Sequence, residues 1–407
     1  MKPVKIPTDE FSLMEFWKLQ DLRFITYTKN SWSTRERRFS NEREDSLSID
    51  LELGKKHSQS KGFCFFSVYD GHGVNGLLKD GEHISKKCSE NLPRNIAKGL
   101  PRFWSCNEKS VKKAIKKGFK NTEQFMKTEL SKESKDAGCT AIIAVLTPLK
   151  DIYVAYIGDS PAFISTNNGH SVQITKEHDL HNKDEVLRLR AQKNKGTKFS
   201  IYRLAPGRRE KFWALDNTFS RGMQYTRSFG DFYIKEKAKN SLIAEPEFAN
   251  KIYNAKDLNL LVLCSDGITN RLRVYKRLPT QVLLSYMKQN KCSPDILEIA
   301  CKELIKLCDL ISQSGYCTDD MTIIIVAFLN GRSLEKWYED ATKNAEYPRD
   351  WLTPSFKDDD NISEISAQDL GEVESPVKDS GFDIYDTSNQ YSAEEAEEFA
   401  DLTVPDF

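Results

Sequence analysis

The hydrophobic positions of the chain fall mainly in short runs bounded by turn residues, which is typical of β-strands. The clearest run is 140–147 (TAIIAVLT), which the turn PLKD separates from a second run at 152–157 (IYVAYI). Two further runs, at 162–166 and 171–175, are joined by NNGH, a sequence typical of tight turns. Connections this short allow only antiparallel pairing, because a parallel neighbour needs a crossover of about a dozen residues. The pattern therefore predicts an antiparallel meander and not a doubly wound parallel sheet.

Other segments show the periodicity of single buried strands or of helices. Further strands are predicted near 47–53, 63–69, 258–264 and 322–328. Apolar positions recur at helical spacing near 82–100, 108–130 and 276–314. Residues 179–211 are polar and basic and are predicted to form a surface flap. The mixture of antiparallel strands and separate helices predicts an α+β fold.

Charge is distributed unevenly between the two ends of the chain. The whole sequence carries 60 Lys and Arg and 60 Asp and Glu, yet the residues from Ala345 onwards carry 18 acidic and 3 basic side chains. We therefore predict a lead-in at residues 1–30, a folded domain at 31–335 and an acidic tail at 340–407. The tail has few apolar side chains to bury and is predicted to be disordered. It could bind the basic body of the chain or a regulator.

Composition excludes several classes of protein. No apolar run approaches the roughly 20 residues of a membrane-spanning helix, and the N-terminus has charged residues where a secretory signal has an apolar segment. The nine cysteines form no CxxC pair, which argues against a zinc site or a disulfide framework. The basic flap resembles no nucleic-acid-binding module. We expect a monomer in the cytoplasm, the nucleus or both, with no membrane or nucleic-acid partner.

Aspartates lie at the ends of four predicted strands. Asp70, Asp159 and Asp266 each follow a buried run, and Asp319 with Asp320 precedes the last one. A single aspartate at the end of a strand is ordinary in a turn. Four of them at one end of a β-sandwich would bring their carboxylates together. Carboxylates that lie close together resist burial unless a cation neutralises them. Oxygen ligands select hard ions such as Mg²⁺, Mn²⁺ or Ca²⁺. Two such ions with a bridging water are a standard device for cleaving phosphate esters.

The two residues after Asp70 could add a ligand and a proton donor. Gly71 lets the backbone approach closely, so its carbonyl oxygen could also bind a cation. His72 could protonate the departing alkoxide of a phosphate ester. A single histidine in a loop is as often an ordinary surface residue, so the pattern alone leaves both interpretations open.

Seven short motifs occur in order along residues 40–328. They are VYDGHG (68–73), GCTAIIAVL (138–146), YIGDSPA (156–162), TRSFGD (226–231), IAEPEF (243–248), VLCSDGI (262–268) and TDDMTIIIV (318–326). Each is weak alone, but together they resemble the protein phosphatase 2C family of metal-dependent serine/threonine phosphatases. The resemblance implies a four-layer α/β/β/α sandwich of two antiparallel β-sheets flanked by helices, with the metals at one end. It also implies direct attack of water on phosphoserine or phosphothreonine of phosphorylated protein substrates.

The resemblance further implies roles for individual residues. Two Mn²⁺ or Mg²⁺ ions would bind per domain, with Asp70 bridging both and His72 as the general acid. Asp231 matches a further acidic position of the family. The implied metal ligands are Glu44, Asp45, Asp70, Gly71, Asp266 and Asp319, with Asp159 at a weaker third site.

Several positions depart from the family pattern. The arginine that usually binds the phosphate is replaced by Ser40. Arg38 and Arg43 lie nearby in the sequence and could supply the guanidinium instead. Four other positions also differ: Val74 replaces a glycine, Pro161 an arginine, Asn270 an acid and Asp320 an asparagine.

Two functions follow from these residues. The retained acids and His72 favour an active metal-dependent phosphatase. The departures at Ser40, Pro161 and Asn270 favour the alternative, a catalytically weak or inactive pseudophosphatase that binds phosphoproteins as a scaffold. Loss of primary carboxylates is what we would expect of an inactive relative, and here they are present.

Overall fold

The computed structural model describes residues 12–17, 22–29, 32–33, 38–39, 43–54, 62–73, 78–102, 105–195, 199–202, 211–214, 222–313 and 319–346. In chain order, the strands in these ranges are β1 (Ser12–Trp17), β2 (Leu22–Lys29), β3 (Trp32–Ser33), β4 (Arg38–Phe39), β5 (Ser46–Leu53), β6 (Phe63–Tyr69), β7 (Gly71–Gly73), β8 (Ala137–Cys139), β9 (Ala141–Leu146), β10 (Asp151–Ile157), β11 (Ala162–Thr166), β12 (Ser171–Gln173), β13 (Phe199–Tyr202), β14 (Lys211–Ala214), β15 (Gly222–Met223), β16 (Phe229–Gly230), β17 (Glu247–Phe248), β18 (Tyr253–Asn254), β19 (Leu258–Cys264) and β20 (Met321–Phe328). The helices are α1 (Leu78–Ala97), α2 (Glu108–Glu129), α3 (Glu133–Asp136), α4 (Lys183–Asn194), α5 (Phe232–Lys237), α6 (Asp266–Leu272), α7 (Pro279–Gln289), α8 (Ile296–Gln313) and α9 (Leu334–Thr342).

Two sheets form the centre of the fold. The strand order of the first sheet is β1-β2-β20-β19-β11-β12, and that of the second is β17-β10-β9-β6-β5, with β18 also pairing with β10. The pairings between these described strands are antiparallel, as the short connections predicted. The two predicted hairpins, however, lie in different sheets: β9 pairs with β10 in the second, and β11 with β12 in the first. The predicted continuous meander is therefore split across the sandwich.

The apolar runs have no polar alternation because both faces of the central strands are buried. In β6, Phe63 and Phe65 face the helices on one side, while Cys64 and Phe66 face the opposite sheet. Between the sheets, the rings of Phe24 and Phe66 meet edge to face with their centroids 5.8 Å apart. The two sheets are therefore held together by an apolar layer to which both contribute alternate residues.

Helices cover the outer face of each sheet. On the second sheet, α2 begins with a capping box in which Asn107 and Ser110 each accept the other's backbone N–H through a side-chain oxygen. On the first sheet, the helices from α6 to α9 surround the fully buried Trp337, whose indole N–H donates to the carbonyl oxygen of Asn259 at 3.3 Å. The order helix, sheet, sheet, helix confirms the predicted four-layer α/β/β/α sandwich.

Two strands lie within residues 1–30, where the sequence predicted only a lead-in. Strand β2 pairs with β20 over its whole length, from Leu22 opposite Phe328 to Lys29 opposite Met321. Since β20 in turn pairs with β19, this early segment is part of the central framework of the first sheet. The described fold therefore begins before residue 31 and continues through α9.

The remaining predictions concern the flap and the tail. The flap contains α4 and β13, and β13 forms a small sheet with β14 and β15, which follow it in the chain. Residues 203–210, 215–221 and 347–407 lie outside the described residues, so the disorder of the tail stays a prediction. In the part of the chain that the structure describes, no helix combines the length and apolar character needed to cross a membrane.

Candidate active site

Three segments that carry predicted site residues meet in a small antiparallel sheet of β7, β8 and β16. Gly71 of β7 pairs with Cys139 of β8, and Gly230 of β16 pairs with Gly138. A side chain at Gly138 would collide with the backbone of the adjacent strand β16. Glycine is therefore required for the close approach that joins the motifs DGHG, GCTA and SFGD into one surface.

The strand topology places the predicted acids at one rim of the two sheets. Asp70 follows β6, and Asp45 precedes β5, its antiparallel neighbour. Likewise Asp266 follows β19, and Asp319 precedes β20, its antiparallel neighbour. The end of one strand lies beside the start of an antiparallel neighbour, so each pair of acids shares an edge.

The carboxyl groups at this rim raise one another's pKa. Burial raises the pKa of Asp70 well above its ordinary value; the further causes are the charges of Asp45, Asp266, Asp319 and Asp159. Burial also raises the pKa of Asp45, to which the charge of Asp320 adds. Desolvation and the charges of Asp266 and Asp320 raise the pKa of Asp319 to about 7. The acids therefore lie close enough to repel one another strongly.

Three carboxylate oxygens at this rim have no hydrogen-bond partner among the residues that the structure describes. They are both oxygens of Asp45, whose side chain is 1% exposed, and Oδ1 of Asp266. The hydroxyl groups of Ser265 and Thr322 face Asp45 and lower its pKa in part, but without standard hydrogen-bond geometry. Buried anionic oxygens without partners are costly. A hard divalent cation such as Mg²⁺ or Mn²⁺ would satisfy them, so the donor set fits the metals that the sequence predicted.

Close backbone packing brings Glu44 and Gly71 together beside the first turns of α1. A Cβ atom on Gly71 would lie 2.5 Å from the carbonyl oxygens of both Glu44 and Gly81. The side chain of Glu44 also passes directly over Gly81, where any Cβ atom would overlap it. The hydroxyl of Ser85 donates to the carbonyl oxygen of Glu44. The two predicted ligands Glu44 and Gly71 are therefore neighbours held by α1.

Asp320, where the family usually has asparagine, anchors the segment that carries Glu44 and Asp45. Its Oδ2 accepts the backbone N–H of Glu44 at 2.6 Å and that of Asp45 at 3.3 Å. Either aspartate or asparagine can supply this acceptor oxygen. The departure therefore preserves the acceptor that links β20 to the start of β5.

Asn270, where the family usually has an acid, supports Asp266. Its Nδ2 donates to Oδ2 of Asp266 at 2.8 Å. The next residue, Arg271, is fully buried and donates from Nη2 to the carbonyl oxygen of Asp319 at 2.8 Å. Two adjacent residues of α6 thus hold both predicted ligands that flank β19 and β20. An acid at position 270 would instead add another negative charge beside Asp266.

His72 contacts an acid that the sequence did not pair with it. Its Nε2 lies 3.0 and 2.9 Å from the two carboxylate oxygens of Asp231. Its ring also contacts Tyr225, with centroids 5.0 Å apart. Asp159, the predicted third-site ligand, is 5% exposed and contributes to the raised pKa of Asp70.

The structure locates one of the two candidate phosphate-binding arginines. Arg43 donates from Nη1 to Oγ1 of Thr28 at 2.6 Å and from Nε to the carbonyl oxygen of Asp45 at 3.2 Å. It therefore lies at the same rim as the acids. Arg38 belongs to β4, but its side chain lies outside the described residues.

A separate acidic group lies behind this rim, beside the flap. Among the described residues, His178, Glu185 and Glu247 form the one group of three potential ligands whose atoms all lie within 4.8 Å of one another. Arg227 lies between the two glutamates, with Nε 3.0 Å from Glu185 Oε1 and Nη2 3.5 Å from Glu247 Oε2. Arg188 donates to the other oxygen of Glu185 at 2.8 and 3.0 Å. These guanidinium groups already neutralise the glutamates.

The histidine of this group has no nitrogen left for a metal. Nδ1 of His178 accepts the backbone N–H of Gly158 at 3.1 Å, so Nε2 carries the proton and donates to Glu247 at 3.2 Å. Burial lowers the pKa of His178 and favours this neutral form. Burial alone would raise the pKa of Glu185, but hydrogen bonds from Arg227 and Arg188 hold it at about 2. The group is therefore an ion-pair network that fixes α4 to the body, and it does not fit a cation.

Comparisons with known proteins agree with this geometry. A family model for protein phosphatase 2C matches residues 31–310. Protein phosphatase 2C homolog 2 of Schizosaccharomyces pombe is 28% identical over 304 residues, which cover 72% of this chain and 72% of that protein. Protein phosphatase 2C homolog 2 of Aspergillus fumigatus is 25% identical over 311 residues, which cover 72% of this chain and 63% of that protein.

Solved structures show the same fold at lower identity. The crystal structure of serine-threonine phosphatase 2C from Toxoplasma gondii superposes with a TM-score of 0.58 at 15% identity, covering 79% of this chain and 99% of that one. The structure of a Caenorhabditis elegans sex determining protein gives a TM-score of 0.57 at 17% identity, covering 80% of this chain and 68% of that one. The family match covers more than half of the sequence and includes most of the acidic rim. The chain therefore belongs to the protein phosphatase 2C family of metal-dependent serine/threonine phosphatases.

Proposed function

We propose that this chain hydrolyses phosphoserine and phosphothreonine in proteins, using two Mn²⁺ or Mg²⁺ ions that, when bound, activate a bridging water and stabilise negative charge on the phosphoryl group. The observation that carries the proposal is the set of buried carboxylate oxygens without partners on Asp45 and Asp266. Burial and the charges of neighbouring acids raise the pKa of Asp45 and of the adjacent Asp70. Such a cluster is stable with its acids ionised only when positive charge is added.

In this proposal each residue keeps the role that the family resemblance implies. Asp70 would bind both ions when they are present, and His72 gives a proton to the serine or threonine oxygen as it leaves. Arg43, which donates to the carbonyl oxygen of Asp45, would supply the guanidinium that binds the phosphate. The carbonyl of Gly71 with Glu44 or Asp45 would hold one ion, Asp266 and Asp319 would hold the other, and Asp159 would belong to a weaker third site.

The test of this proposal is metal-dependent hydrolysis of a phosphothreonine peptide. We expect turnover with Mn²⁺ or Mg²⁺, loss of turnover in EDTA and recovery when Mn²⁺ is returned. Isothermal titration of the EDTA-treated protein with Mn²⁺ should show two strong sites. Full activity in EDTA would contradict the proposal, as would an absence of turnover in a folded sample with two Mn²⁺ bound.

The alternative function, a phosphoprotein-binding pseudophosphatase, has its support in the departures at Ser40, Pro161 and Asn270. One of these departures supports the acid cluster, because Asn270 donates a hydrogen bond to Asp266. An inactive scaffold has no need for buried, mutually repelling carboxylates, which lower the stability of the fold. Binding of the phosphothreonine peptide without turnover in the same assay would identify the scaffold.

We also propose that the acidic tail lies against the basic body near α7. Lys288 donates to the carbonyl oxygen of Ala345, and Arg277 Nη1 lies 2.6 Å from Glu346 Oε2. The start of the tail is thus already held by two cations. Arg273, which pairs with Glu177, and Lys276 are exposed and lie in the segment between α6 and α7.

Removal of the tail after Glu346 is expected to raise kcat/KM for the phosphothreonine peptide at low salt. Exposed ion pairs contribute about 0.2–1 kcal/mol each, so a net screening of the site of about 0.4–1 kcal/mol corresponds to about a two- to fivefold effect. High salt should remove the difference, because exposed charges are screened there. Equal rates for the whole and shortened chains at low salt would contradict the proposal.

A further inference from the structure

The pair formed by His72 and Asp231 has a geometry that the proposed roles do not explain. Asp231 is 5% exposed at its side chain, whereas His72 is 24% exposed. Nε2 of His72 lies within 3.0 Å of both oxygens of the carboxylate. A ring nitrogen centred on a buried carboxylate is fixed in direction as well as in distance. The contact therefore restricts the ring of His72 to one orientation.

The surrounding structure holds Asp231 firmly. Its backbone N–H donates to the carbonyl oxygen of Ala137 at 2.9 Å, and the hydroxyl of Ser228 donates to its Oδ2 at 2.5 Å. The backbone of Asp231 is left-handed, with a φ of 52°, at the residue just before α5. A non-glycine residue adopts this conformation only where its neighbours determine it.

A glycine on the neighbouring strand makes room for the carboxylate. A Cβ atom on Gly138 would overlap Oδ2 of Asp231 and lie 2.7 Å from its Cγ. Gly138 pairs with His72 on one side and with Gly230 on the other. The small sheet of β7, β8 and β16 therefore sets the distance between the histidine and the aspartate.

We propose that Asp231 is a positioning residue for the proton transfer of His72, an inference that rests on the proposed phosphatase function. Asp231 engages Nε2, so Nδ1 is the nitrogen that gives its proton to the departing oxygen. As the oxygen of water forms the new P–O bond, the serine or threonine oxygen leaves with the electron pair of the broken bond. That oxygen takes the proton from Nδ1 and becomes a hydroxyl, and the proton lost by the water restores the ring through solvent.

Asp231 could instead serve only to hold the loop between β16 and α5. A loop support affects every substrate alike, whereas an orienting partner of His72 affects only substrates whose leaving group needs a proton. p-Nitrophenolate is a good leaving group and departs without being protonated. A serine or threonine alkoxide is a poor leaving group and needs a proton as it departs. Comparison of these two leaving groups therefore separates the two roles.

The experiment compares Asp231→Asn, His72→Ala and the double variant on a phosphothreonine peptide and on p-nitrophenyl phosphate, all with Mn²⁺. We expect Asp231→Asn to lower kcat for the peptide by about 10- to 100-fold, with little change in KM. The loss of kcat on p-nitrophenyl phosphate should be less than about threefold. In the His72→Ala background, Asp231→Asn should have no further effect, because both changes remove the same step. Asp257→Asn, at an exposed position before β19, is the control and should behave as wild type.

Several results would overturn this inference while leaving the phosphatase proposal intact. They are equal losses on both substrates, additive losses in the double variant, and wild-type kinetics for Asp231→Asn beside an impaired His72→Ala. If Asp231→Asn does not fold, Ser228→Ala removes the hydrogen bond to Oδ2 and should give the same selective loss at smaller size. An absence of Mn²⁺-dependent turnover in the wild type would instead reject the phosphatase proposal itself.

Discussion

Asp266→Asn is expected to lower kcat for a phosphothreonine peptide by about three orders of magnitude, with the fold retained. Oδ1 of Asp266 is buried without a hydrogen-bond partner, and Oδ2 accepts from Asn270 at 2.8 Å. Asparagine keeps the shape of the side chain but removes the charge that would bind the cation. Metal-ion catalysis contributes several kcal/mol, and each 1.36 kcal/mol corresponds to about a tenfold change in rate.

Thermal unfolding with and without Mn²⁺ is the control that distinguishes loss of metal binding from loss of the fold in Asp266→Asn. Thermal unfolding in EDTA should show Asp266→Asn to be at least as stable as the wild type near about pH 8, because one of several repelling carboxylates has gone. With Mn²⁺ present, the order should reverse, since the wild type binds the ion more tightly. Unchanged turnover in Asp266→Asn would show that Asp266 is not a ligand.

The metal-free protein is expected to lose stability as the pH rises from about 5.5 to about 8. The pKa of Asp319 is raised to about 7, and those of Asp45 and Asp70 are also raised well above their ordinary value. A carboxyl group whose pKa is higher in the folded state stabilises the fold fully below its unfolded pKa, near 3.8. That stability is lost as the pH rises from the unfolded pKa through the folded pKa, so the loss for Asp319 runs from about pH 4 and is nearly complete at about pH 7. The contribution of Asp319 is smaller than its shift suggests because its side chain is exposed.

Thermal unfolding measures this effect directly. In EDTA we expect the Tm to fall by about 5 °C across this pH range, since about 1 kcal/mol shifts the Tm of a large domain by about 2–4 °C. Addition of Mn²⁺ should raise the Tm far more at the high end of the range than at the low end. The variant Asp45→Asn should flatten the dependence in EDTA. A Tm in EDTA that does not change between these pH values would mean that the carboxyl groups do not repel one another as described.

The parts of the fold that the sequence predicted correctly are those with local signals. Strands β6, β9, β10, β19 and β20 are nearly unbroken apolar runs, and Asp70 and Asp266 were recognised because each directly ends such a run. Pairing between distant segments has no local signal. The association of β2 with β20, and the division of the two hairpins between sheets, depend on contacts between residues far apart in the chain.

The supporting contacts of the site were missed for a similar reason. Asp231 lies 159 positions after the His72 that it binds, and Asp320 lies 276 positions after the Glu44 whose backbone it binds. Asn270 was identified only as a departure from a family pattern, and Asp320 only as such a departure and as an acid beside a strand end. The structure shows what each does, because side-chain oxygens and amides find partners that the order of residues does not reveal.

The position of β20 has a consequence for the synthesis of this protein. This strand is inserted between β2 and β19, yet it leaves the ribosome after every other strand described here, and it lies beyond the segment at 31–310 that matches the family model. Until it emerges, β2 has no partner on its inner side, and Asp319 and Asp320 are missing from the rim. Since domains generally fold as units during translation, we expect the nascent polypeptide to stay without metal affinity until almost the whole domain has been made. Fragments from premature termination would therefore be inactive and open to chaperones and proteases.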